Sequence, residues 1–159
     1  ESGPQKKKQS MIEEEIDNAK SELQRADHLL YVTLKYTRTA DVIRNAVKRL
    51  ISAFDYAILA ILERLKDKKK LKNIPASPIM RVELMEKLTK DKNIRDYTNF
   101  YFLLKKIDRS SYKAKEEYRK NVTLITHDFN VNVEMLKRFF AKTKEFGEFS
   151  MEFTKWLGT

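Results

Sequence analysis

The chain has 159 residues, of which 42% are hydrophobic and 35% charged, with a net charge of +10 and no cysteine. This length is normally one domain with its own core, and the lack of cysteine excludes disulfides, zinc-thiolate sites and thiol catalysis. Three glycines and three prolines are too few for many tight hairpins. The composition therefore predicts an all-α protein, an antiparallel helical bundle of four to five helices.

The first predicted helix follows a basic tail. Residues 1–9 are expected to be flexible, and the single helical-bundle domain is expected to span residues 10–159. Ser10 and Glu13 stand three residues apart and fit a capping box at a helix start. Apolar residues spaced by three and four then predict one helical stripe that reaches about Val32 or a few residues further.

Three more helices are predicted in the middle of the chain. The segment from Val42 to Lys66 has an apolar face broad enough to contact several neighbours, which predicts a central helix. Ser77 is placed to cap a third helix, with Pro78 at the first helical position, where its missing N–H costs nothing. A fourth helix is predicted from Ile94 to about Ile107.

The segment RKNVTLITHDFNVNV, residues 119–133, departs from the helical pattern. Its β-branched residues alternate with polar ones, which predicts a short β-hairpin or an extended arm at about 120–133. Asn132 is expected near the start of the last helix. Gly147 predicts a kink or break within that helix, because glycine costs about 1 kcal/mol relative to alanine there.

Two lysine clusters carry most of the net charge. Residues 6–8 contribute +3 and the run KDKKKLK, residues 66–72, contributes +4, which leaves +3 for the rest of the chain. Such clusters attract phosphate without sequence preference and are screened by salt, although a solvated loop that aids solubility has the same pattern. The candidate nucleic-acid-binding residues are Lys6, Lys7, Lys8, Lys66, Lys68, Lys69, Lys70 and Lys72.

A second candidate is a polar site made by Arg119, His127 and Asp128. A carboxylate beside an imidazole can orient it for acid–base work or metal binding. One such pair supplies too few ligands for a metal, and turns favour both residue types for local reasons. We therefore predict no metal and no cofactor. The other histidine, His28, is interpreted as a residue at the boundary of the core.

Two sets of residues can be compared with a known arginine–histidine motif. Arg44 and Asn45 are followed by Arg49 on the second predicted helix. Arg119 and His127, in the non-helical segment, have seven residues between them. In helix pattern and size the chain resembles the HEPN superfamily of small prokaryotic and archaeal helical bundles, many of them RNA-cutting toxins. Active members carry an arginine, often a polar residue next, then four to six residues and a histidine. Arg44–Asn45 matches that opening, but Arg49 stands about where the histidine would be. The resemblance implies an RNA binder or a degenerate ribonuclease.

Three functions therefore remain open. The first is a non-catalytic helical interaction or scaffold module that self-associates as a homodimer or binds an unidentified protein partner. Its docking surface would include the aromatic segment FTKWLGT, residues 153–159. The second is the RNA-associated protein, and the third is a protein attached to anionic membranes by the same lysines. No apolar stretch is long enough to span a bilayer, so we expect a cytoplasmic protein; high lysine and glutamate without cysteine also fits an archaeal source.

Overall fold

The structure, a computed structural model, describes residues 3–158, with the side chains of Gln5, Lys8, Trp156 and Leu157 outside that description. In the described range the chain is mostly helical, as predicted, and a small antiparallel sheet is a minor addition. The helices are α1 (Pro4–His28), α2 (Ala40–Asp67), α3 (Pro78–Thr89), α4 (Ile94–Arg109) and α5 (Val133–Gly158). The strands are β1 (Lys113–Lys115), β2 (Thr123–Ile125) and β3 (Asn130–Asn132), in the order β1-β2-β3.

Helix α1 begins earlier than its sequence pattern predicts, and helical structure continues beyond it to Tyr36, a few residues past Val32 as expected. Residues 4–9, predicted as part of the basic tail, lie in its first turns, with Pro4 at the first helical position. Past His28 the chain continues through a π-helical turn (Leu29–Thr33) and one more short helical segment (Leu34–Tyr36). The wider turn leaves Leu30 and Leu34 both buried against the core. Single π-helical turns within α-helices are frequent near functional sites.

Helix α2 is the centre of the fold, and its prediction from Val42 to Lys66 is confirmed within two residues at each end. At its start Thr39 is the N-cap: its hydroxyl accepts a hydrogen bond from the Val42 N–H, which has no partner within the helix. Phe54 shows why the helix is central. Its ring stacks on Phe146 of α5 and also contacts Tyr101 of α4.

The two middle helices start where the sequence predicts. The Ser77 hydroxyl accepts from the Met80 N–H at 3.5 Å and Pro78 opens α3. After α3, Lys90 adopts a left-handed conformation with φ 55°, which turns the chain toward α4. Tyr97 and Tyr101 then place two largely buried rings of α4 in the aromatic core.

The predicted hairpin is present as β2 and β3, and β1 adds a third strand that the sequence analysis did not predict. Leu124 and Val131 face each other across β2 and β3, and both side chains are buried. The turn closes where the Thr126 N–H donates to the Phe129 carbonyl oxygen at 2.8 Å. The sheet therefore packs one face against the core, and the alternation of apolar and polar residues decides which face it is.

Helix α5 starts at the predicted place and is not broken at Gly147, so the predicted break is wrong. The Met135 N–H donates to the Asn132 side-chain oxygen at 2.8 Å, and the helix then continues through Gly147 to Gly158. A Cβ on Gly147 would lie 3.4 Å from Leu23 Cδ1. Gly147 therefore lies in the contact between α1 and α5, and the helix continues through it despite the low helix propensity of glycine.

Tyr97 couples the stability of this fold to alkaline pH. Burial, and then the hydrogen bond from its hydroxyl to Glu145 Oε1 at 2.9 Å, raise the pKa of Tyr97 to about 12 from its ordinary 10. Between those values the unfolded chain loses the phenol proton while the folded chain keeps it, so the stabilisation present below pH 10 is lost as pH rises toward 12. We expect denaturant titrations to show the stability advantage of wild type over Tyr97→Phe shrinking across that window. An advantage that grows with pH would contradict the assignment.

Candidate nucleic-acid interface

The fold brings the two predicted lysine clusters to one end of the bundle. Because α1 and α2 run antiparallel, Gln9 near the start of α1 meets Arg64 near the end of α2, and Arg64 Nη2 donates to Gln9 Oε1 at 2.6 Å. Lys6 and Lys7 lie within one turn of Gln9, and the second cluster follows Arg64 directly. We call this surface the lysine end, and it comprises Lys6, Lys7, Lys66, Lys68, Lys69, Lys70 and Lys72. The Lys8 side chain, also predicted, lies outside the described residues.

All seven side chains of the lysine end are exposed. The acid inside the cluster is Asp67, whose Oδ2 accepts from Arg64 Nη1 at 2.9 Å. Because that carboxylate is paired to Arg64, it does not neutralise the lysines. Within the described part of the chain, none of the seven is ion-paired to a carboxylate. The lysine end can therefore attract an anionic polymer without first breaking internal ion pairs.

The second cluster has a fixed backbone where the sequence favoured a loose loop. The Lys70 N–H donates to the Leu65 carbonyl oxygen at 2.9 Å and the Lys69 N–H donates to that of Lys66 at 3.0 Å. With Lys69 at φ 60°, this is the helix-ending pattern in which a left-handed residue follows the last turn. The three consecutive lysines are thus held as part of the end of α2.

Arg119, His127 and Asp128 do not form one site. Arg119 precedes β2 and His127 follows it, so the strand separates them. His127 and Asp128 do meet, with Nδ1 and Oδ1 2.9 Å apart, and Lys106 Nζ lies 3.1 Å from Asp128 Oδ2. The hydrogen bond from His127 and then Lys106 lower the pKa of Asp128. The His127 side chain is 96% exposed and that of Asp128 45%, so this pair lies on the surface.

The residues compared with the HEPN motif separate into two groups. Arg44 turns toward α4, where its Nη2 donates to the Asp108 carbonyl oxygen at 3.3 Å. Arg49 turns toward α1, where Arg49 and Arg25 each lie 3.2 Å from an oxygen of the buried Glu22. The motif's first arginine and the residue at its histidine position therefore serve different helix contacts.

Sequence reasoning missed a polar groove between α1 and α2. It is an open depression of about 880 Å³, and Arg25, His28, Asn45, Lys48 and Arg49 are among its lining residues. The groove forms because α1 and α2 pack antiparallel, which brings His28 and Asn45 to the same depression. The apolar spacing of each helix by itself does not show this. Glu22 beneath the groove offsets part of the arginine charge, so the lysine end remains the more strongly basic surface.

No family model, no curated protein and no solved structure matches this chain. Within residues 3–158, no helix combines the length and apolar character needed to cross a membrane. In the same range, no three Asp, Glu or His side chains are grouped so that they could hold a metal ion.

Proposed function

We propose that this protein is a non-catalytic helical module that binds RNA through the lysine end. The observation that carries the proposal is the convergence of two clusters, far apart in sequence, into seven exposed lysines at one end of the bundle. A solvated loop that only aids solubility does not require that convergence. We also propose a cytoplasmic location, because a chain without cysteine suits a reducing compartment.

The chemistry of lysine determines what kind of binding this is. An ammonium group is a compact point charge on a flexible stem, and it contacts phosphate without reading base edges. Such binding is independent of sequence, and its affinity falls steeply as salt rises because counterions are released from the phosphates. The expected activity is therefore electrostatic attachment to an RNA backbone.

The proposal contains no cleavage step by the predicted pair, Arg119 and His127, for a geometric reason. RNA cleavage by side chains needs an acid–base group and a cation that reach the same phosphate. Arg119 and His127 lie at opposite ends of β2, and His127 is fully open to solvent. The resemblance to the HEPN superfamily stays a prediction, and the proposal rests on the lysines alone.

The test replaces Lys68, Lys69 and Lys70 with glutamate and follows binding of labelled RNA across a salt series. We expect affinity at low salt to fall by more than about tenfold. The dependence of log affinity on log salt should weaken by about 2, since each phosphate contact on a single strand contributes about 0.7. The RNA should also stay full length with wild type.

The matched control reverses three exposed lysines, Lys87 in the last turn of α3 and Lys90 and Lys92 in the turn that follows it. It changes the net charge by the same amount, so it separates a local site from overall charge. Equal losses in both variants, or no binding by wild type at low salt, would contradict the proposal. Cleavage that His127→Ala abolishes would contradict its non-catalytic part.

A second candidate, the self-associating module, is favoured by an apolar groove between α1 and α5. The groove has a volume of about 390 Å³, and Ile16, Leu23, Phe140 and Met151 are among its lining residues. Sedimentation of wild type and of Met151→Glu tests this candidate. A dimer that the substitution converts to a monomer would support it, and a monomer at every concentration would remove it.

A further inference from the structure

The end of the bundle opposite the lysine end carries two strongly exposed tyrosines. Tyr36, at the end of the short segment that continues α1, is 86% exposed, and Tyr118, in the loop between β1 and β2, is 77% exposed. The Tyr118 N–H donates to the Arg38 carbonyl oxygen at 2.6 Å, which puts both residues at the start of α2. Tyrosine combines an apolar ring face with a polar tip and is enriched where proteins bind partners.

The loop that carries Tyr118 is held in place. Glu117 Oε2 accepts from the Ala40 N–H at 2.8 Å, so this loop helps to cap α2. Glu116 and Tyr118 both adopt left-handed conformations, with φ 59° and 66°, which L-residues other than asparagine and aspartate rarely do. Such conformations persist only where surrounding contacts impose them. The exposed ring of Tyr118 is therefore presented by a fixed backbone.

A basic groove lies beside these tyrosines. It has a volume of about 510 Å³, and four cations line it, namely Lys35, Arg38, Lys120 and Lys137. Glu134 is the acid among its lining residues, and it pairs with Lys137 at 3.3 Å. The groove keeps a local excess of positive charge, whereas the exposed Arg119 of the same loop lies 3.9 Å from Glu116, which offsets its charge. Tyr36 follows Lys35 in the chain, and Tyr118 bonds to the backbone of Arg38, so each tyrosine adjoins a cation of the groove.

We propose that this surface, the tyrosine end (Lys35, Tyr36, Arg38, Tyr118, Lys120 and Lys137), binds single-stranded RNA. The groove cations hold phosphates, and Tyr36 and Tyr118 stack on unpaired bases. Aromatic platforms beside a basic groove are the physical means of single-strand binding, because every base has a ring face but a duplex hides it. This inference rests on the proposed function and adds to it a preference for single strands. An acidic peptide would satisfy the cations but would leave the ring faces without partners.

The experiment compares Tyr36→Ala/Tyr118→Ala with Tyr36→Phe/Tyr118→Phe in the full chain, with single-stranded and duplex RNA as separate probes. Loss of stacking should weaken single-strand binding by about tenfold per tyrosine, whereas phenylalanine, which keeps the ring, should bind within about twofold of wild type. Duplex binding should be unchanged in both variants. Because both side chains are exposed, the thermal melting of both variants should match wild type, which separates lost stacking from lost folding.

The proposals for the lysine end and the tyrosine end would be contradicted by different results. If the lysine end does not bind RNA, the glutamate variant at Lys68–Lys70 keeps full affinity while the alanine variant at the tyrosines still loses single-strand binding. If the tyrosine end does not bind RNA, the alanine variant binds single strands as wild type does. Equal losses for duplex and single strand would also overturn the stacking role.

Discussion

Replacing Phe54 with alanine is expected to lower the free energy of unfolding by about 3–5 kcal/mol, the usual cost of removing a buried aromatic side chain. Phe54 is 1% exposed, and its ring stacks on Phe146 with centroids 4.7 Å apart and planes 13° apart. Phe100 and Tyr101 of α4 lie 5.8 Å and 5.5 Å away. The truncation therefore removes the ring through which α2 contacts both α4 and α5.

Chemical denaturation followed by circular dichroism measures this loss. The matched control is Phe153→Ala, because Phe153 is a partly buried phenylalanine at the edge of the same cluster, 6.0 Å from Phe149. We expect the control to cost markedly less, since a smaller apolar area returns to water and a smaller cavity remains. Similar losses for the two variants would mean that Phe54 is not the centre of the core.

The second large effect is expected at the buried arginine beside the lysine end. Asp67→Ala should destabilise the protein by about 3 kcal/mol, because it removes the carboxylate from a guanidinium that stays buried. Arg64 is 5% exposed, pairs with Asp67 at 2.9 Å, and has an Nε with no hydrogen-bond partner among the described residues. An acid at the C-terminal turn of a helix is unfavourable by about 0.5 kcal/mol, which offsets only a small part of that cost.

Arg64→Met provides the contrasting result. A hydrophobic side chain of similar length removes the buried charge altogether, so the stability of this variant should stay within about 1 kcal/mol of wild type. In that background Asp67→Ala should cost little, and a double-mutant cycle measures the difference as the coupling between the two residues. Additive losses would show that Asp67 acts on the helix end and not through Arg64.

Parts of the fold that depend on short-range pattern were predictable. The broad apolar face of α2 and the Ser77–Pro78 start of α3 are each visible in neighbouring residues, and the structure confirms both. Strand β1 was not predictable in the same way. All three of its residues are exposed, so no alternation marks it, and its strand conformation arises from pairing with β2.

The candidate sites also combine features that a local sequence pattern shows with features that only tertiary packing produces. Both lysine clusters could be read from the sequence, but their meeting depends on the antiparallel packing of α1 and α2, expressed in the contact of Gln9 with Arg64. The tyrosine end was not predictable, because Tyr36 and Tyr118 are far apart in the chain and each is an ordinary surface residue alone. Only the docking of the Tyr118 backbone on Arg38 makes them neighbours.

The sequence by itself determined that this chain is helical, where α2 to α5 start, and that its charge sits in two lysine runs, because these properties depend on residue type and spacing within a few turns. The tertiary structure decided how distant residues meet: that Gly147 of α5 faces Leu23 of α1, that β2 separates Arg119 from His127, and that both lysine runs share one end. The physical reason is that such meetings follow from burying all the apolar faces at once, and no local pattern encodes that joint solution.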